Sequence, residues 1–224
     1  MRYSWILFDA DETLFHFDAF AGLKLMFATF GVNFTVEDYR QYHTLSAPLW
    51  VDYQDGAISA AQLQHTRFQA WSERLGVATD ILNRDYLVAM AQVSPPLSGA
   101  PELISALQGK AKLGIITNGF SAMQQARLIK AGWQQAFDTL VVSEQVGIAK
   151  PAAGIFEHAF ELMGHPPKEQ ILMVGDNPHS DILGGINAGI DTCWLNSTGR
   201  ATPEGIRPHY EVSSLQQLHK LLLG

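Results

Sequence analysis

Trp5-Ile6-Leu7-Phe8-Asp9-Ala10-Asp11-Glu12-Thr13 opens the chain with four apolar residues that run straight into two acids. A continuous apolar run of this length suits a strand buried on both faces, as in a parallel sheet covered by helices. Carboxylates directly beyond such a strand lie at the carboxyl edge of the sheet, where open α/β sheets bind ligands. An acid there is costly unless something compensates it, and a divalent cation is one such partner. Taken alone, Asp-x-Asp reads equally well as a surface turn, or as a helix cap built from Asp11 and Thr13.

Further along, apolar runs recur at residues 113–116, 140–142, 171–174 and 193–195. Helical patterns separate them at 121–131, 155–163 and 180–188, ending at Gly132, Gly164 and Gly189. Strand and helix in alternation predict a doubly wound, Rossmann-like α/β fold with a parallel sheet. The interval between the first two strands differs. Leu23, Met26, Phe27 and Phe30 make one helical stripe and Phe68, Trp71 and Leu75 another, while no convincing strand occurs. Ser94-Pro95-Pro96 then breaks the pattern before a helix at 101–107, and residues 215–223 read as a closing amphipathic helix. The expected division is a core of residues 1–15 and 96–224, with a helical cap at 16–95 inserted after the first strand.

Three later strand ends also carry polar groups. Thr117-Asn118-Gly119 offers donors at a strand-to-helix turn where a phosphate can rest, although the same triplet makes an ordinary turn. Lys150, fixed by Pro151, supplies a point positive charge, although most lysines are simply solvated. Gly175-Asp176 with Asp181 repeats the pattern of acids after an apolar strand, and helix capping accounts for one acid but not for the recurrence. Together these are the groups that metal-assisted phosphoryl transfer requires: a nucleophile, an acid/base, a cation site and donors for phosphate oxygens.

The ordered set Asp9-x-Asp11-x-Thr13, Thr117, Lys150-Pro151 and Gly175-Asp176 with Asp181 resembles the four motifs of the haloacid dehalogenase superfamily, and the likeness spans the whole core. The resemblance implies that Asp9 is the nucleophile and Asp11 the acid/base. It implies phosphate binding by Thr117, Asn118 and Lys150. It also implies Mg²⁺, with Mn²⁺ as the alternative, held by Asp9, Asp11 (through its carbonyl) and Asp176, with Asp181 in the outer shell. Glu12 stands where many members have glycine, which bears on the conformation of the loop beyond the acids.

The chain has 224 residues, 47% apolar and 17% charged, enough to bury a substantial core. No apolar run nears the length of about 18 that suggests a membrane span. A single cysteine, Cys193, forms no internal disulfide and argues for a reducing, cytoplasmic setting. A formal charge of −7 speaks against a nucleic-acid polymer as partner, while a small phosphorylated metabolite remains compatible. The whole chain is similar to bacterial pyrimidine 5′-nucleotidases of the superfamily, which implies a nucleoside monophosphate such as dUMP, UMP or dTMP as substrate. A sugar-phosphate phosphatase or a phosphomutase is the alternative, and a receiver-type signalling module is a rival from another class. Asp11 separates the chain from the dehalogenase branch, which lacks a second acid. Phe17, Trp50, Tyr53, Gln54, Arg67 and Trp71 are candidates to meet a base, although most residues at helical spacing are core. Oligomeric state is not legible from the sequence.

Overall fold

A computed structural model describes all 224 residues, Met1–Gly224. Strands β1 (Trp5–Phe8), β2 (Lys112–Thr117), β3 (Thr139–Val142), β4 (Ile171–Gly175), β5 (Asp191–Leu195) and β6 (Tyr210–Val212) form one parallel sheet in the order β3-β2-β1-β4-β5-β6. The chain winds outward from β1 in both directions. The crevice beyond the carboxyl ends of β1 and β4 is therefore a topological switch point.

The alternation along β1 shows why its run is apolar throughout. Ile6 and Phe8 join a cluster with Leu103, Leu107 and Leu218, from α6 (Ala100–Leu107) and α11 (Leu215–Leu223). Trp5 and Leu7 face the other way, onto Phe156 and Phe160 of α9 (Ala153–Met163). Cys193 is a fully buried member of the first cluster, and burial pushes its thiol up to about 12. It is a packing residue.

Residues 16–95 hold α1 (Ala19–Ala28), α2 (Val36–Gln54), α3 (Ala60–Thr66), α4 (Gln69–Leu75) and α5 (Thr79–Val93). Leu23, Met26 and Phe27 are buried as their stripe predicts, whereas Phe30 lies beyond the end of α1 and is half-buried. These helices share a separate apolar cluster that reaches the sheet region through Phe120, Met123 and Ala149. Entry and exit lie side by side: Phe15 bridges Pro96 in antiparallel fashion, His16 N donates to Pro95 O at 2.9 Å, and Leu97 N donates to Leu14 O at 2.9 Å. Tyr53 and Ser143 hydroxyls meet at 2.7 Å, and Lys130 Nζ donates to Gln92 O at 2.5 Å, so the helices are docked on the sheet region. No helix is long and apolar enough to cross a membrane.

Candidate active site

All seven residues singled out from the sequence, Asp9, Asp11, Thr117, Asn118, Lys150, Asp176 and Asp181, line one cavity of about 430 Å³. They arrive from the ends of β1, β2 and β4 and from the turn before α9. Asp9 is buried, and its backbone N–H donates to Val174 O at 2.9 Å, which ties it to the sheet. Glu12 adopts φ +56°, the left-handed region that favours glycine. Its carboxylate offsets that strain by accepting from Phe17 N and pairing with His16 Nδ1 at 3.0 Å. The loop thus keeps the conformation a glycine would allow.

Lys150 is 1% exposed and spends its ammonium on three acceptors: Asp9 Oδ1 at 2.6 Å, Ile116 O at 2.6 Å and Asp181 Oδ1 at 2.8 Å. Burial alone would lower its pKa, but Asp181 and Asp9 outweigh that and raise it, so it stays charged. Asn118 braces the lysine loop, accepting from Lys150 N at 2.8 Å and donating to Lys150 O at 2.9 Å. The peptide between Lys150 and Pro151 is cis. Thr117 Oγ1 accepts from Gly119 N at 3.0 Å, which leaves its hydroxyl proton to donate elsewhere.

After β4 the chain makes a π-helical turn, Pro178–Ile182, and the predicted helix at 180–188 becomes regular only over α10 (Leu183–Ala188). The wide turn brings Asp181 back against Gly175, where a Cβ would stand 2.2 Å from Asp181 Oδ2. Asp181 is well engaged: besides Lys150, it accepts from Asn177 N at 3.0 Å and Ser180 Oγ at 3.2 Å. Asp176 is held by its carbonyl, which accepts from Trp194 Nε1 at 2.8 Å and Arg200 Nη2 at 2.7 Å.

The electrostatics of this cluster match a divalent cation. Ligand oxygens of Asp9, Asp176 and Asp181 lie within 4.8 Å of one another. Three carboxylates stand against two cations, the buried ammonium of Lys150 and the half-exposed Arg200, whose Nη2 lies 3.8 Å from Asp176 Oδ2, so negative charge is left in excess. The strain shows in the carboxyls themselves. Burial, then the charge of Asp181, pushes Asp176 up to about 7, against Arg200 and Lys150. Burial also raises Asp9, against Lys150, with Asp181, Asp11 and Asp176 adding to it. Hard oxygen donors around an excess of negative charge are what Mg²⁺-class ions take.

Arg127 was not foreseen. Its guanidinium, with no exposed side-chain surface, pairs with Asp11 Oδ1 and sits over the Phe15 ring, Cζ 5.3 Å from the centroid. The signal lay in α7 (Ser121–Lys130), where Met123, Arg127 and Leu128 share the buried face and a charge interrupts an apolar stripe. The aromatic candidates divide. Phe17, Trp50, Gln54 and Arg67 line the cavity, together with Tyr39 and Tyr42. Trp71 instead packs against Phe27, ring centroids 4.2 Å apart, and Tyr53 is tied to Ser143.

Residues 3–189 match the model of the haloacid dehalogenase-like hydrolases. The chain is 55% identical over 222 residues to pyrimidine 5′-nucleotidase YjjG of Escherichia coli (strain K12), covering 99% of each chain. It is 35% identical over 224 residues to pyrimidine 5′-nucleotidase PynA of Streptococcus pneumoniae, covering 97% of this chain and 94% of that one. Among solved structures, the magnesium-bound putative hydrolase YfnB of Bacillus subtilis superposes with a TM-score of 0.84 at 32% identity over the full length of both chains.

Proposed function

The chain belongs to the haloacid dehalogenase-like hydrolases, and from that premise we propose that it hydrolyses pyrimidine nucleoside 5′-monophosphates through a phosphorylated Asp9. The observation that carries this reading is the convergence of acids and donors from separate strand ends on one cavity whose lid side is aromatic. The nucleotidase names of two full-length relatives support the substrate class.

Asp9 Oδ1 is held by Lys150, and no protein donor reaches Oδ2, which supports Oδ2 as the oxygen that attacks phosphorus. As the new O–P bond forms, the bond to the ester oxygen breaks, and Asp11 gives that oxygen its proton, releasing the nucleoside. A water then attacks phosphorus. Asp11, now a carboxylate, takes its proton, the Asp9–phosphorus bond breaks, and phosphate departs. The Thr117 hydroxyl donates to a phosphoryl oxygen and the Lys150 ammonium offsets charge beside it. Asn118 contributes by holding the Lys150 loop. Mg²⁺, or Mn²⁺ in its place, would be held by the carboxylates of Asp9 and Asp176 and the Asp11 carbonyl. Asp181, already engaged by Lys150, would stand behind them. The cation supplies the positive charge that lets an anionic phosphate approach carboxylates. Residues 16–95 act as a lid over this chemistry, in keeping with the interdomain movement ascribed to magnesium-bound YfnB.

Arg127 is a positioning residue for Asp11. Replacing it with methionine keeps the packing against Phe15 but frees the Asp11 carboxylate. Acid/base assistance is worth about 10²–10⁴-fold, and partial misplacement is expected to cost about 10- to 100-fold of kcat with KM little changed. The stability loss is expected to fall short of the ~3–5 kcal/mol typical of breaking a fully buried pair, because the Asp11 side chain is 29% exposed and can reach water. Steady-state kinetics and a thermal melt check both.

The substrate class is tested by phosphate release across a metabolite panel. Pyrimidine nucleoside monophosphates are expected to exceed ribose 5-phosphate in kcat/KM by about tenfold or more, since contacts to the leaving group add to those on the phosphoryl group. The reverse ranking would return the enzyme to the sugar-phosphate phosphatases.

A further inference from the structure

Arg67 follows α3 and stands on the lid side of the cavity that holds Asp9 and Asp11. The residue is 4% exposed, and three rings surround its guanidinium: Cζ lies 5.2 Å from the centroid of Phe68, 5.0 Å from Tyr86 and 5.0 Å from Phe120. Arginine brings five N–H donors and a charge it does not lose. Here the protein uses one of the five, from Nη2 to Asn83 Oδ1. Nε is buried without a partner, and no carboxylate forms an ion pair with the group. A buried guanidinium so poorly paired is costly unless an acceptor comes to it from the cavity.

Its orientation is fixed from behind. Asn83 Nδ2 donates to Gln64 Oε1 at 2.6 Å, Gln64 Nε2 donates to Glu144 Oε1 at 2.7 Å, and Glu144 Oε2 accepts from Ser121 N at 2.9 Å. The chain of bonds runs from a cation to a carboxylate through two amides. Neither amide can flip without setting donor against donor or acceptor against acceptor. Nε is sealed off, so the donors left for the cavity that Arg67 lines are those of the two terminal nitrogens, in a plane set by Asn83, with the half-buried Trp50 ring 5.3 Å from Phe120 along the same wall.

We infer that Arg67 is a specificity-determining residue that reads a ring carbonyl on the leaving group, the base of a pyrimidine nucleotide. The inference rests on the nucleotidase reading and adds to it the side chain that selects the base. Arginine only donates, so it rewards acceptor oxygens, and a sugar phosphate without a base has no ring carbonyl to present at this end of the cavity.

Arg67→Met keeps an unbranched apolar side chain among the three rings while removing every donor. Its kcat/KM on dUMP is expected to fall about 10- to 100-fold, the worth of one charge-assisted hydrogen bond, while ribose 5-phosphate and p-nitrophenyl phosphate change by less than about twofold. Loss on dUMP but not dCMP would put the contact at the 4-carbonyl, and equal loss on both at the shared 2-carbonyl. Either supports the inference. Arg67→Lys, which retains donors without the planar fork, is expected to recover part of the loss on dUMP and serves as the second variant should the methionine form melt early. A uniform fall on all substrates, ribose 5-phosphate included, would make Arg67 a structural or phosphate contact and overturn the inference. So would an Arg67→Met enzyme that keeps the wild-type preference for nucleotides. A wild-type enzyme with no such preference would instead bring down the nucleotidase reading itself.

Discussion

Asp9→Asn is expected to fold as the wild type does and to lose turnover by about 10⁴-fold or more, the scale seen when a covalent nucleophile is removed. The substitution hardly changes volume. It removes a carboxylate from a cluster in which acids outnumber cations, and it leaves Lys150 with Asp181 and the Ile116 carbonyl as partners. Because burial already pushes the Asp9 carboxyl up, the neutral amide relieves a desolvation cost, and the melting temperature is expected to be unchanged or raised. Two of the neighbouring carboxylates are already engaged. Asp11 is paired with Arg127, and both oxygens of Asp181 are occupied. Phosphate release and a thermal melt on the same sample check the pair of expectations. Activity within tenfold of wild type would remove Asp9 as nucleophile.

Removing divalent cations with a chelator is expected to abolish turnover and to lower the melting temperature, with Mg²⁺ restoring both. The thermal readout is independent of chemistry. An ion that binds only the folded chain stabilises it by about 2.7 kcal/mol at one hundred times its Kd, or about 5–10 °C for a chain of this size. Asp176→Asn separates the cation from general salt effects. The variant is expected to lose most of the Mg²⁺-induced shift while melting no lower than the chelated wild type, since it discards a carboxyl that burial and Asp181 already disfavour. Full activity in chelator, or a shift that survives in the variant, would take the cation out of the proposed chemistry.

The parts of the molecule legible in the sequence are those where one physical demand acts alone. Strands β1, β2 and β4 are buried on both faces, so their apolar runs needed no partner to be recognised. The acids at the ends of β1 and β4 stand out because nothing in a turn requires them in that order. Strand β6 was missed: only Val212 of its three residues is buried, and so short an edge strand leaves no pattern to read. Helix α2 carries Pro48 within it and buries only Tyr42, Ser46 and Tyr53, which blurs its stripe. Trp50 and Trp71 look alike in sequence, yet one faces the cavity and the other stacks on Phe27. Which of two aromatics meets a ligand depends on how five helices lean together, and that is decided by tertiary packing. Arg127 was hidden for the same reason, since its partner lies 116 positions away.

The paired linkers at Phe15 and Pro96 bear on how this protein acquires new chemistry. Where a chain leaves the sheet and rejoins it one hydrogen bond away, the length of the excursion places little demand on the sheet, and its content answers only to the docking contacts around Phe120, Met123 and Ser143. Such an excursion is exchangeable, like a tool in a chuck. The carboxylates at the ends of β1 and β4 can stay fixed while the eighty residues at 16–95 drift, are replaced or are grafted from a relative, retargeting the enzyme without rebuilding its sheet.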